Sequence, residues 1–158
     1  RCQTWSRPIT VGETPDFGFP EPHLAEVGPD ELVCILRDGL TSGYLHASRS
    51  MDGGESWSCI ERTPMYGHPG HLLVLADGRL LCTYGHRREP FGIRACWSED
   101  GGRTWNMDQE IFLRDDLPHG DLGYPTTIEY EPGRLFCIYY AADANSVRGI
   151  YGTYVELE

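Results

Sequence analysis

The sequence predicts an all-β protein, about three blades of a β-propeller, each blade a meander of four antiparallel strands. Three observations lead there. The motif Ser-x-Asp-Gly-Gly-x-Ser/Thr-Trp occurs twice, as "SMDGGESW" from Ser50 to Trp57 and "SEDGGRTW" from Ser98 to Trp105. Three apolar runs containing cysteine, "LVCIL", "LLCTY" and "LFCIYY", recur with a period of about 50 residues. No segment has the 3.6-residue periodicity of a long amphipathic helix. A β-sandwich, the rival all-β architecture, would not require three internal copies of one meander.

Each unit opens with a strand beside a proline: "EPHLAEV", "HPGHLLVLA" and "YPTTIEYE". The turns "GPDE", "DGR" and "PGR" follow, where Gly, Asp and Pro favour tight reversals. The cysteine-bearing run is the second strand, and "GYLHASRS", "GIRACWSE" and "GIYGTYVE" form the third. In the first two units a fourth strand headed by Trp57 or Trp105 is expected after the Asp-Gly-Gly turn. The third unit lacks one, while "TWSRP" near the N-terminus reads as a fourth strand without a blade. The whole chain, 1–158, is thus one propeller segment with blade-like units at about 1–61, 62–112 and 113–158.

The repeated motif reads as a structural clip. Ser50, Asp52, Gly54 and Trp57 match Ser98, Asp100, Gly102 and Trp105. Each aspartate can accept backbone N–H groups of its own turn, and the glycines allow positive φ. The tryptophan is expected to anchor the next strand between sheets, and the Ser/Thr to tie the turn to its neighbour.

Composition narrows the partners. Of 158 residues, 13 are Lys or Arg and 24 Asp or Glu, a net charge of −11. Such a surface repels nucleic acid and anionic membrane, so neither is expected as a partner. An anionic small ligand fits only where arginines cluster. The six cysteines include no C-x-x-C pair, and those in apolar runs are expected to be buried thiols. "HPGH", with His68 and His71, offers two ligands without a third, so no metal and no other cofactor is implied. The chain begins at Arg1, so its N-terminus is expected to be processed or to be a boundary.

The two motifs resemble the Asp-box (BNR) repeats of sialidases (neuraminidases). The resemblance extends over "GFPEPHLAEV", "ELVCILRDG", "GHPGHLLVLADGRLLCTYGHRREPFGIRACWSEDGGRTW" and "DLGYPTTIEYEPGRLFCIYY", nearly the whole chain in order. It implies the C-terminal half of a six-bladed propeller and an exo-glycosidase that retains configuration through a tyrosine nucleophile. Carried over, Tyr124 in "LGYPTT" matches the nucleophile and Glu21 in "FPEPH" its proton-accepting partner. Arg37 in "CILRDG" matches a carboxylate-binding arginine. A second comes from "GHRREPFGIR", where Arg87 or Arg88, on the loop, is preferred to Arg94. Asp121 is close enough to Tyr124 in sequence to contact substrate, whereas Asp115 and Asp116 read as solvated loop carboxylates. A third arginine and the aspartate acid/base belong to blades outside this chain; Asp16 and Asp121 are the substitutes at hand. The resemblance thus implies a module that hydrolyses or binds acidic, sialic acid-type sugars with an incomplete site. The alternatives are a non-catalytic glycan- or protein-binding propeller and a purely structural segment. Three blades do not close a ring, so a homodimer completing a six-bladed ring is the expected assembly, with "TWSRP" of one chain finishing the last blade of the other.

Overall fold

The computed structural model describes residues 4–12, 18–39 and 42–157. Three antiparallel sheets form in chain order. The first holds β1 (His23–Gly28), β2 (Glu31–Arg37), β3 (Tyr44–Ser50) and β4 (Glu61–Tyr66). The second holds β5 (Gly70–Val74), β6 (Leu80–His86), β7 (Phe91–Ser98) and β8 (Ile111–Leu117). The third has three strands, β9 (Leu122–Glu131), β10 (Arg134–Ala142) and β11 (Arg148–Glu156). In each sheet the strands lie in sequence order, the meander of a propeller blade. The opening strands β1, β5 and β9 stand side by side, which places them at the propeller axis.

Hydrophobic burial holds the blades face to face. Val33, Ile35, Leu45 and Met65 of the first sheet pack against Leu72, Leu80, Cys82 and Tyr84 of the second. On the other side of the second sheet, Leu81, Ile93 and Ala95 meet Leu122, Leu135, Cys137 and Tyr139 of the third. The middle blade is therefore covered on both faces, and β6 is buried at every position. This explains why "LLCTYGH" shows no polar alternation. Strand β10 does alternate, with Leu135, Cys137 and Tyr139 buried and Ile138 exposed. Cys34, Cys82, Cys96 and Cys137 are buried free thiols and Cys59 is an exposed one; Cys2 lies outside the described residues.

The two Asp boxes have nearly superposable hydrogen bonding. Ser50 Oγ donates to Asp52 Oδ1 at 2.7 Å and accepts from Gly54 N–H at 2.8 Å. Ser98 Oγ makes the same pair with Asp100 and Gly102, both at 2.7 Å. The glycines take φ of 70° and 96° in the first box and 66° and 81° in the second, a region that Cβ disfavours. Two expectations change. The hydroxyls of Ser56 and Thr104 donate to the aspartate of their own box, at 2.5 and 2.6 Å, so they lock the turn rather than tie it to a neighbour. The fourth strands begin at Glu61 and Ile111, later than the tryptophans, because each indole folds back over its box. Trp57 Nε1 donates to Gly54 O at 3.1 Å, and a Cβ on Gly102 would stand 3.4 Å from the Trp105 ring.

The N-terminal expectation is also corrected. Residues 4–10 form no strand, and Trp5 is 89% exposed. A strand needs a ladder partner, and the open edge of β11 lies at the opposite end of the row of sheets. Among the described residues, 4–8 join none of the three sheets.

Candidate active site

Strand ends and irregularities at one rim of the blades bring the candidate residues together. Glu21 precedes β1, Arg37 ends β2, Arg87 follows β6 and Tyr124 lies near the start of β9. In β9 the register slips, so that Tyr124 and Pro125 together oppose Tyr139. Such a bulge re-aims a side chain, and Pro125 has no N–H to lose. Tyr124 takes φ 51° and Glu21 takes φ 57°. Both non-glycine residues thus occupy the left-handed region, a strain that concentrates at functional sites. The backbone before Glu21 is tied down, since Pro20 O accepts from Arg37 N–H at 3.3 Å and Gly18 O from Gly39 N–H at 3.1 Å.

The phenol of Tyr124 donates to Glu21 Oε1. Arg37 Nη1 donates to both Glu21 oxygens, at 3.0 and 2.9 Å. Glu21 and Arg37 belong to the first blade and Tyr124 to the third, so the unit bridges the row at the axis. Asp38, the acidic neighbour of Arg37, instead accepts from Ser42 N–H at 2.8 Å.

The electrostatics follow from these contacts. Burial opposes the Glu21 carboxylate, but the bonds from Tyr124 and Arg37 and the charges of Arg37 and Arg87 outweigh it and lower its pKa. The Glu21 hydrogen bond, then burial, raises the Tyr124 phenol above its ordinary value. The resting pair is therefore carboxylate and phenol, with the proton on Tyr124 already directed at its acceptor. Proton transfer to Glu21 would convert Tyr124 to a phenolate nucleophile.

Arg87 joins this group and Arg88 does not. Arg87 Nη2 donates to Tyr140 Oη at 3.3 Å, and a Cβ on Gly123 would stand 3.1 Å from that nitrogen, so a glycine makes room for the guanidinium. The Tyr140 ring lies 5.9 Å from that of Tyr124. Arg88 stacks on the Tyr66 ring at 4.0 Å and its Nε meets His86 Nε2 at 3.2 Å. Arg94 lies within the second blade, its Nη1 2.8 Å from Glu110 Oε2 and its guanidinium over Phe112.

Asp121 touches the site through Tyr140. It accepts the Tyr140 O–H at 3.0 Å and pairs with Arg148 at 2.7 Å. The Tyr140 bond first, against slight burial, and then Arg148 lower its pKa. A carboxyl held ionised in this way is a poor proton donor, which argues against Asp121 as the substitute acid. Asp16 lies outside the described residues. Tyr140 and Arg148 escape sequence reading because "IYY" looks like core and "SVRG" like an ordinary loop. The only sequence signal for Arg148 is its place on a loop of the same rim.

Beneath Glu21 and Tyr124 is a cleft of about 170 Å³ lined by His23, Pro69, His71 and Thr126 among others. The rings of His23 and His71 lie 4.2 Å apart, and His23 Nδ1 accepts from Leu72 N–H at 3.1 Å. Among the described residues no three His, Cys, Asp or Glu side chains converge as a metal site would require.

Known proteins carry the same architecture. A protein of unknown function from Dyadobacter fermentans DSM 18053 is 31% identical with a TM-score of 0.82, matching 94% of this chain and 41% of its own. The NanB sialidase from Streptococcus pneumoniae is 17% identical with a TM-score of 0.66, over 99% of this chain and 26% of its own. A xylan β-1,4-xylosidase from Bacillus halodurans C-125 is 12% identical with a TM-score of 0.63, over 89% and 30%. The two enzymes share the fold, and this chain spans well under two thirds of any of the three proteins. No curated protein matches. The model of the BNR repeat-like domain matches residues 3–137, and the chain belongs to that family.

Proposed function

We propose that this sialidase- and glycosidase-like module carries the nucleophile half of a glycoside hydrolase site for acidic, sialic acid-type sugars. The observation behind the reading is the Tyr124–Glu21–Arg37 unit, whose members come from two blades and 103 positions apart. A tyrosine nucleophile is one of the recognised exceptions to the two-carboxylate pattern of glycosidases. The Tyr124 oxygen would attack the anomeric carbon as its proton passes to Glu21. The bond to the leaving oxygen breaks with its electron pair, and that oxygen takes a proton from an acid outside this chain. Water then replaces Tyr124, with retention. A phenol suits an anomeric carbon bearing a carboxylate, because a carboxylate nucleophile would bring two negative charges together. Arg37 and Arg87 supply donors for that substrate carboxylate.

The test is release of the aryl group from an aryl sialoside. Turnover that falls at least about a hundredfold in Tyr124→Phe supports the reading. The engagement of Asp121 with Arg148 and Tyr140 favours one alternative, a module that binds acidic glycans without cleaving them. Binding lost in Arg37→Ala, with no turnover by the native chain, would decide for it.

We further propose that a second copy, placed head to tail, supplies the missing neighbour. On the outer face of the third sheet Ile128, Tyr154 and Ile150 are 54%, 71% and 76% exposed. The exposed Trp5 segment, outside any sheet in this chain, would become a strand only by pairing with the third sheet of that copy. Light scattering that gives twice the chain mass supports a closed six-bladed pair, and a monomer at all concentrations rejects it.

A further inference from the structure

We propose that His68 is a third donor of the oxyanion cradle, presenting an uncharged ring N–H beside Arg37 and Arg87 to the carboxylate of an acidic sugar. This rests on the functional reading above and adds a ligand group to it. His68 stands on the loop from β4 to β5, at the seam of the first two blades. Gly67 N–H donates to Gly43 O and His68 N–H to Gly85 O, both at 2.8 Å, so the loop is fastened to the first blade and to the end of β6. The third blade presses on the same point. A Cβ on Gly123, next to Tyr124, would stand 3.4 Å from His68 O and 3.1 Å from Arg87 Nη2.

Three buried nitrogens here have no hydrogen-bond partner: Arg37 Nε, Arg87 Nε and His68 Nδ1. Buried polar groups are nearly always satisfied, and leaving one unpaired is costly. Arg49 Nε, Arg94 Nε and His119 Nε2 are also unpaired but are not among the groups that act on His68, and the unpaired His71 Nδ1 belongs to the cleft below, beside His23. The three at the rim share one field. Burial first, then the charges of Arg37 and Arg87, lowers the His68 pKa to about 4 against the opposing pull of Glu21 and Asp38. The imidazole is therefore neutral near pH 7. A third cation beside two guanidinium groups would be repelled, whereas a neutral N–H joins them at no such cost. One ligand group with several acceptor oxygens, a carboxylate, would satisfy donors of this kind.

The experiment is an NMR titration of the chain with N-acetylneuraminic acid and, separately, its methyl ester. His68→Ala removes the donor, His68→Leu removes it while keeping bulk, and His68→Asn keeps an N–H near the Nδ1 position. Thermal midpoints identify any variant that fails to fold, and His68→Leu replaces His68→Ala if the latter does. The acid should bind about tenfold more weakly to the donor-less variants and return to within about threefold of native in His68→Asn. The ester should bind the native chain and the donor-less variants alike. Equal acid binding by native and donor-less chains overturns the role of His68 and leaves the acidic-sugar reading standing. A native chain that binds neither compound overturns that reading, and this inference with it.

Discussion

The first two blades and the third are built from the same meander, yet they end differently. Blades one and two carry an Asp box, a bulged fourth strand and a buried seam with their neighbour. In the first, Arg62 to Tyr66 of β4 span only His46 to Tyr44 of β3, with Pro64 in the bulge, where no ladder bond is needed. In the second, Gly92 lets β7 approach β8 so closely that a Cβ would lie 1.8 Å from Arg114 O. Among the described residues the third blade comprises three strands, with no Asp box, and its outer face is apolar. The difference teaches that a blade becomes a closed unit through its neighbour and its last strand. The third blade's β10 run, Leu135 to Ala142, is apolar throughout, as a strand covered on both faces would be, yet its burial alternates because only one face is covered.

The comparison predicts unequal costs for similar substitutions. Leu81→Ala, in the seam between blades two and three, should lower unfolding free energy by about 3 kcal/mol in urea denaturation. Ile128→Ala, on the free face of blade three, should change it by less than about 0.5 kcal/mol. A large loss at Ile128 would mean that this face is covered in solution, and its dependence on protein concentration would identify a second copy.

Next in size is the Asp box. Ser98→Ala removes both the donor to Asp100 and the acceptor of Gly102 N–H, and should cost about 1–2 kcal/mol. Thr127→Ser, in the boxless third blade, keeps the hydroxyl that meets Thr83 Oγ1 at 3.0 Å and should cost less.

The boxes also predict an acid limb. Bonds from Ser56 and Ser50 lower Asp52, and at Asp100 the bonds from Thr104 and Ser98 overcome burial, so both sit at about 2 against an ordinary 3.8. A depressed carboxylate contributes its stability above the unfolded pKa and loses it as pH falls through the folded one. Stability should therefore decline between about pH 4 and pH 2. Both groups are largely exposed, so the slope is modest, and the double variant Asp52→Asn with Asp100→Asn should flatten it in thermal melts across that range.

The smallest effect is expected at Arg88. Because it stacks on Tyr66 rather than joining Arg87, Arg88→Ala should leave acidic-sugar binding within about twofold of native. Tyr140→Phe, which frees Arg87, should weaken it severalfold. The reverse order would exchange the roles of the two arginines.

Strand content and the three meanders are legible in the sequence by itself. Period-two burial, Gly-Asp-Pro turns and the twice-written Asp box are local signals, each set by residues within a few positions of one another. The rim positions of Glu21, Arg37 and Tyr124 are legible through their motifs as well. Their meeting is a tertiary result, because the contact joins the ends of strands from opposite ends of the row. So is the separation of Arg87 from Arg88. Adjacent residues just past the end of a strand point to different sides, and only the packing of Tyr66 on one side and Tyr140 on the other decides which guanidinium faces the site. His68 belongs to the same class. In sequence it is half of a histidine pair, but His71 meets the His23 ring at the cleft while His68 stands at the seam beside Gly123, and the Nδ1 of each is buried and unpaired. Backbone preference is set locally, whereas the direction and satisfaction of a polar side chain depend on what three separate blades bring around it.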